Sequence, residues 1–311
     1  MKSWPHSLNV AAAGLSFQNP VVLAAGTAAY GRELAGVINL DALGGIVTKA
    51  VSVESRNGAP SPRVAEFDGG MINAVGLANP GLDAARRDDM PWLAANVRNA
   101  RVIVNVVGSA VEDFSTVVAG LEDAARIDAY ELNVSCPNVR AGGLEFGADN
   151  AMLSALIARA RRETRRPLFV KLSPTLLNIA DAARVAADAG ADGLSLINTI
   201  PGLVVDVSTR RPALGFGSGG VSGAGLLPVG VLAVWKVSRA VRLPLLGIGG
   251  VMKGTDAIQY ILAGATLVGV GTAALRDPRA PERIAREIGD WCASNSVSSL
   301  TEIVGALQWP T

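Results

Sequence analysis

The stretch Asn133-Val-Ser-Cys-Pro-Asn138 sets one of the chain's two cysteines, Cys136, between an asparagine three residues before it and another two after. A free thiol has a pKa of about 8.5, so Cys136 can accept or release a proton near neutral pH. Asparagine amides carry both donors and acceptors, which suits a neutral ring rich in carbonyl and N–H groups. Pro137 fixes its own φ and stiffens the backbone beside the thiol. A cysteine alone is commonly a small buried hydrophobe, so its reading as a reactive group depends on what the chain puts beside it.

Lysine is scarce, with five in 311 residues, and two of them, Lys49 and Lys171, fall within apolar stretches. Thr48, Asn105 and Asn198-Thr199 occupy similar positions. A buried ammonium group is costly unless an anion or an electron-rich acceptor meets it. Three glycine-rich segments, Gly219-Gly-Val-Ser-Gly223, Gly249-Gly250 and Gly271-Thr272, read as turns that let backbone N–H groups approach a phosphate. The segment Gly70-Met-Ile-Asn-Ala-Val-Gly-Leu-Ala-Asn-Pro-Gly81 has no charge and can lay amides along a flat polar ring. The single histidine, His6, precedes any folded pattern and reads as a surface residue, so imidazole catalysis and a histidine metal site are not expected. Cys136 and Cys292 are too few for an iron–sulfur cluster or a disulfide framework, and Cys292 reads as packing.

These residues sit at the ends of regularly spaced elements. Short apolar or β-branched runs cover 21–25, 45–49, 102–107, 130–135, 168–172, 194–198, 245–248 and 267–270. Helical periodicity covers 111–127, 151–165, 179–189, 227–240 and 255–263. Eight strands alternating with helices predict an α/β protein with the (β/α)8 TIM-barrel fold, read as one domain over 1–311. A hairpin at 8–10 and 14–17 is expected to plug the barrel floor. Long loops follow strands two (50–81), four (136–149) and six (199–225), on the face where barrels place their chemistry. Net charge is +1 with no basic block, which gives nucleic-acid binding no electrostatic basis. No apolar run approaches membrane-spanning length and no signal-peptide core opens the chain, so a cytoplasmic protein is expected.

Taken together, the residues resemble the class I dihydroorotate dehydrogenases, over nearly the whole chain from Asn19-Pro20 to about Ala274. The matching pieces are Asn19-Pro-Val, Thr48-Lys49, Asn73-Ala-Val-Gly-Leu77, Asn133-Val-Ser-Cys-Pro-Asn138, Lys171-Leu-Ser-Pro174, Asn198-Thr199, Gly219-Gly-Val-Ser-Gly223, Gly249-Gly250 and Gly271-Thr272. The resemblance implies FMN as cofactor, its phosphate on Gly223, Gly249, Gly250, Gly271 and Thr272. Ala25, Thr48, Lys49, Asn105, Asn133, Lys171 and Ile197 would line the rest of it. It implies a substrate held by Lys49, by Asn73, Ala74, Val75, Gly76 and Leu77, and by Asn133, Asn138, Asn198 and Thr199. Dihydroorotate would be oxidised to orotate for pyrimidine biosynthesis, with Cys136 as general base and Lys49 and Lys171 assisting.

Asn138-Val-Arg-Ala-Gly-Gly-Leu-Glu-Phe-Gly147 and Lys171-Leu-Ser-Pro174 look like the NAD-linked class IB branch. That branch implies a homodimer and an electron-transfer subunit carrying FAD and a [2Fe–2S] cluster. Alternatives are a fumarate-linked class IA enzyme, a flavin dehydrogenase of another dihydropyrimidine, and a flavin-free aldolase with Lys171 as Schiff base. The chain departs from the family pattern at Ala25, Ala59, Thr175 and Gly215-Phe-Gly.

Overall fold

The computed structural model describes residues 8–135, 137–138 and 144–310. Eight parallel strands close into a barrel: Val21–Leu23, Gly45–Val47, Arg101–Val106, Ala129–Asn133, Leu168–Leu172, Gly193–Leu196, Leu245–Ile248 and Leu267–Val270, each bonded to its neighbours in chain order. They are called barrel strands one to eight below. Their side chains are buried almost throughout, because a parallel barrel is packed by side chains within and helices without. The covering helices are Val111–Leu121, Asn150–Glu163, Ile179–Asp188, Leu227–Ser238, Gly254–Ala263 and Ala280–Ser294. Cys292 lies buried on the last of these, where burial pushes its thiol above the usual range, in keeping with a packing role. The expected TIM barrel is therefore the observed fold.

Several strands stop short of the apolar pattern. Strand two ends at Val47 and strand six at Leu196, so Thr48, Lys49, Ile197 and Asn198 stand just past the strand ends, where the backbone N–H groups of Thr48, Ile197 and Asn198 still bond to neighbouring strands. The periodicity at 111–127 predicts a helix six residues longer than the one formed. Arg126 has a left-handed backbone (φ 66°) and gives its guanidinium to the carbonyls of Val97, Arg98 and Ala100 and to Asp128. Those bonds favour a turn over a further helical turn.

At the opposite end, Val10–Ala12 pairs antiparallel with Leu15–Phe17. Ala13 and Gly14 both take positive φ, the backbone of a tight hairpin turn. Phe17 is fully buried beside Gly45, and the Ser16 carbonyl accepts from Arg101 Nε. Gly45 and Arg101 begin strands two and three, so the hairpin lies across the barrel's N-terminal end.

The connections after strands two and six, read from sequence as loops, carry strands of their own. Ile200–Gly202, Gly219–Ser222, Gly70–Asn73 and Val64–Phe67 form one four-stranded antiparallel sheet in that spatial order. Gly219–Ser222, expected as a glycine turn, is a strand in its middle, and only Gly223 beyond it turns the chain.

Entry into strand one depends on Asn19, which is fully buried. Its Nδ2 donates to the Ala42 carbonyl at 2.8 Å, and its Oδ1 accepts from the N–H of Val21 at 3.1 Å and of Gly44 at 3.0 Å. Gly44 N–H also reaches the Val21 carbonyl, so it keeps a partner without Asn19. Asn19→Ala should orphan the Val21 N–H and the Ala42 carbonyl and lower unfolding free energy by about 3 kcal/mol, read by urea denaturation with an unchanged slope.

Candidate functional site

Polar side chains collect at the C-terminal mouth of the barrel because strands two to six carry them at or next to their C-terminal ends. Thr48 is fully buried; its Oγ1 accepts from Asn105 N–H at 3.2 Å and donates to the Lys49 carbonyl at 2.9 Å. Lys49 is half-buried, its own N–H held by the Ala29 carbonyl at 2.7 Å. Asn133, closing strand four, accepts from Asn198 Nδ2 at 3.2 Å, and Asn198 Oδ1 takes the Thr199 N–H at 2.9 Å. Three of the residues expected to hold a substrate thus form one amide chain.

Lys171 is the register partner of Asn133 on one side and Ser195 on the other. Only 6% of it is exposed, yet its ammonium has no hydrogen-bond or ion-pair partner among the described residues. The Lys49 ammonium is likewise unpartnered among them. A buried ammonium is costly without a counterpart, so two cations at a barrel mouth fit an anionic or carbonyl-bearing guest.

The glycine segments bend toward the same end. Gly223 (φ 101°) and Gly250 (φ 72°) hold backbone conformations that side chains rarely adopt. A Cβ on Gly250 would lie 2.4 Å from Leu227 N, and one on Gly223 would lie 2.7 Å from Gly70 Cα. Ile197 packs near Gly249, where a Cβ would come within 3.7 Å of its Cγ1. Among the described residues no acceptor takes the backbone N–H of Gly250, Gly271 or Thr272. Free N–H groups beside crowded glycines suit a phosphate. Ala25 follows strand one and is partly buried.

The segment Asn73–Leu77 leaves the four-stranded sheet at its edge of the mouth. Asn73 Nδ2 donates to the Gly220 carbonyl at 3.2 Å, and Ala74 N–H reaches the Arg63 carbonyl at 2.8 Å. Val75 and Gly76 are exposed, while Leu77 turns with φ 54° and packs on Ala50 and Val107. Cys136 lies outside the described residues. Asn138 follows Pro137 on a short strand paired with Leu144–Glu145.

Glu145 is tied to the end of strand five: Ser173 Oγ donates to its Oε1 at 3.2 Å and Thr175 Oγ1 approaches Oε2 at 3.4 Å. Burial pushes the Glu145 carboxyl up, with both hydroxyls opposing.

Three contributors escaped the sequence reading. Glu131, fully buried on strand four, accepts from Asn105 Nδ2 at 2.7 Å and Ser195 Oγ at 2.6 Å. An acid two residues before Asn133 within an apolar strand was the available signal. Asn79 braces the Asn73–Leu77 segment, donating to the Leu77 carbonyl and accepting from Gly81 N–H. Ser222 accepts from Thr272 Oγ1 at 2.9 Å and donates to the Met71 carbonyl at 3.3 Å, linking the sheet to the segment after strand eight.

Among the described residues no cluster of three or more histidines, cysteines or acids could hold a metal ion, and no helix is long and apolar enough to cross a membrane. A concavity of about 770 Å³ opens at the other end, between the hairpin and residues 238–244, and gathers none of the strand-end polar groups.

Comparison with known proteins agrees with this arrangement. The dihydroorotate dehydrogenase family matches residues 7–291. A dihydroorotate dehydrogenase B (NAD(+)), catalytic subunit, from Geobacter sp. (strain M21) is 44% identical over 301 residues, covering 97% of this chain and 98% of its own. A protein of the same name from Desulforudis audaxviator is 46% identical over 297 residues, covering 96% of each. With a family match across the whole barrel and relatives above 40% identity over nearly the full length, the chain is a member of the dihydroorotate dehydrogenase family of oxidoreductases.

Proposed function

We propose that this chain oxidises dihydroorotate to orotate in pyrimidine biosynthesis with FMN as its cofactor. The observation that carries the reading is the Lys171 ammonium, nearly buried, without a partner among the described residues and level with Asn133, in a chain of this family. FMN would be held at its phosphate by Gly223, Gly249, Gly250, Gly271 and Thr272. Ala25, Thr48, Lys49, Asn105, Asn133, Lys171 and Ile197 would meet the remainder. Bound there, FMN supplies a two-electron acceptor for the hydride leaving ring carbon six.

The chain's own residues have separate tasks. Lys171 would hold a positive charge against the bound cofactor and favour its taking up electrons. Lys49 meets the substrate carboxylate, and this separates dihydroorotate from dihydropyrimidines that lack one. Asn73 to Leu77, Asn133, Asn138, Asn198 and Thr199 grip the ring's amide edges with paired donors and acceptors. The Asn133–Asn198 bond fixes one amide against the other, so both are oriented before substrate arrives. Cys136 takes the proton from ring carbon five as thiolate.

The relatives' printed name, an NAD(+)-linked catalytic subunit, supports a separate partner that carries electrons onward. We assign that partner FAD and a [2Fe–2S] cluster, with NAD as the final acceptor, on a homodimer of this single-domain chain in the cytoplasm.

An anaerobic visible spectrum tests the core of the reading. The purified chain should be yellow, and its flavin bands should bleach within the mixing time on adding dihydroorotate. A colourless protein that takes up no FMN would sink it. The pH profile tests the base. Thiolate is the active form, so flavin reduction should accelerate as pH rises and level off above about 8.5. Cys136→Ala should slow reduction by roughly 10²–10⁴-fold, and Cys136→Ser should be similarly slow, while both keep their flavin spectrum.

A further inference from the structure

Glu131 is a fully buried carboxylate with no cation within ion-pair distance among the described residues. Such a charge is tolerated only where donors satisfy it. Two neutral donors do so, Asn105 Nδ2 and Ser195 Oγ. The registers define where the carboxylate lies. Asn105 is Glu131's direct neighbour on strand three, whereas Ser195 belongs to strand six, two strands away. The strand between them carries Phe169 level with Glu131 and Lys171 level with Ser195. The carboxylate therefore crosses the inner face of strand five, one layer beneath the base of Lys171.

Two effects follow from that position. Asn105 cannot turn its amide, because Nδ2 is committed to Glu131; its Oδ1 is the end left for a guest. A carboxylate also stands beneath an ammonium that has no partner among the described residues. Strands one, seven and eight contribute no titratable side chain to this interior, and Lys49 stands beyond strand two.

We infer that Glu131 is a positioning residue for the flavin: it presents the Asn105 carbonyl as an acceptor and offsets the charge of Lys171. The inference rests on the functional reading above. Glu131 touches neither substrate nor cofactor in this scheme, so it is not a catalytic residue. A merely structural hub would change stability and leave the flavin's properties alone.

Two variants separate the two effects. Glu131→Gln keeps the shape, removes the charge and forces an amide N–H₂ onto one of the two donors. Glu131→Asp keeps the charge but draws it back by one methylene, so it cannot reach Asn105 and Ser195 together. FMN affinity would be measured by fluorescence quenching on the apoprotein, and the flavin midpoint potential by anaerobic dye titration of the reloaded protein. Glu131→Gln should raise the FMN Kd tenfold or more and move the potential to a more positive value, because the reduced flavin then sees an uncompensated cation. Glu131→Asp should raise the Kd several-fold and leave the potential in place.

Glu131→Gln with a Kd within twofold of the parent and an unmoved potential would overturn the inference. If the Gln variant does not fold, Glu131→Asp decides: a Kd within twofold of the parent overturns it, and a several-fold rise with an unmoved potential supports it. A parent chain that takes up no FMN would overturn this inference and the functional reading together, whereas a parent that binds FMN no better than the variants overturns this inference alone.

Discussion

A parallel strand turns every second side chain toward the barrel axis, and a closed barrel gives those side chains no exit except its two ends. Water is excluded, so each inward polar group must be matched by another or by a guest. Asn105, Glu131 and Ser195 match one another across strands three, four and six. Asn133 matches Asn198. Lys171, in the midst of them, is matched by nothing among the described residues. Each of these others has a protein partner, and Lys171 is the one set aside for a guest.

The mouth is walled by structure that the barrel itself does not supply. The connections after strands two and six each contribute two strands to one sheet, with Gly70–Asn73 and Gly219–Ser222 at its centre. The sheet is anchored at the far side through Thr272 to Ser222 and through the Arg276–Glu66 ion pair at 2.9 Å. The ion pair is exposed and contributes little on its own. The Ser222 hydroxyl is shielded and serves both neighbours, so it ties the glycine segment after strand eight to the strand that leads into Asn73.

The barrel, and the placing of Asn133, Lys171 and Asn198 at neighbouring strand ends, could be read from sequence, because short apolar runs between helical stretches and the polar residues at their ends are local signals. Glu131 carried a signal as an acid in an apolar strand, but its partners could not be read, since such an acid looks the same whether it faces in or out. Its partners lie 26 and 64 residues away. Gly219–Ser222 read as a turn because glycine composition signals turns, whereas its pairing with Gly70–Asn73 spans about 147 residues. Residues 122–127 read as helix because their apolar spacing continues. What ends the helix is the set of carbonyls that Arg126 meets on a different segment.

The shared sheet sets a rule for how such a barrel can change. In many barrels each connection can be exchanged by itself, since each rests on its own strand. Here the second and sixth connections hydrogen-bond to each other along Met71–Ser222, Ile72–Val221 and Asn73–Gly220. A graft that replaced one would leave the other with an unpaired edge. The two connections therefore form a single heritable module split across the chain, and recombination that altered this protein's specificity would have to carry both halves together.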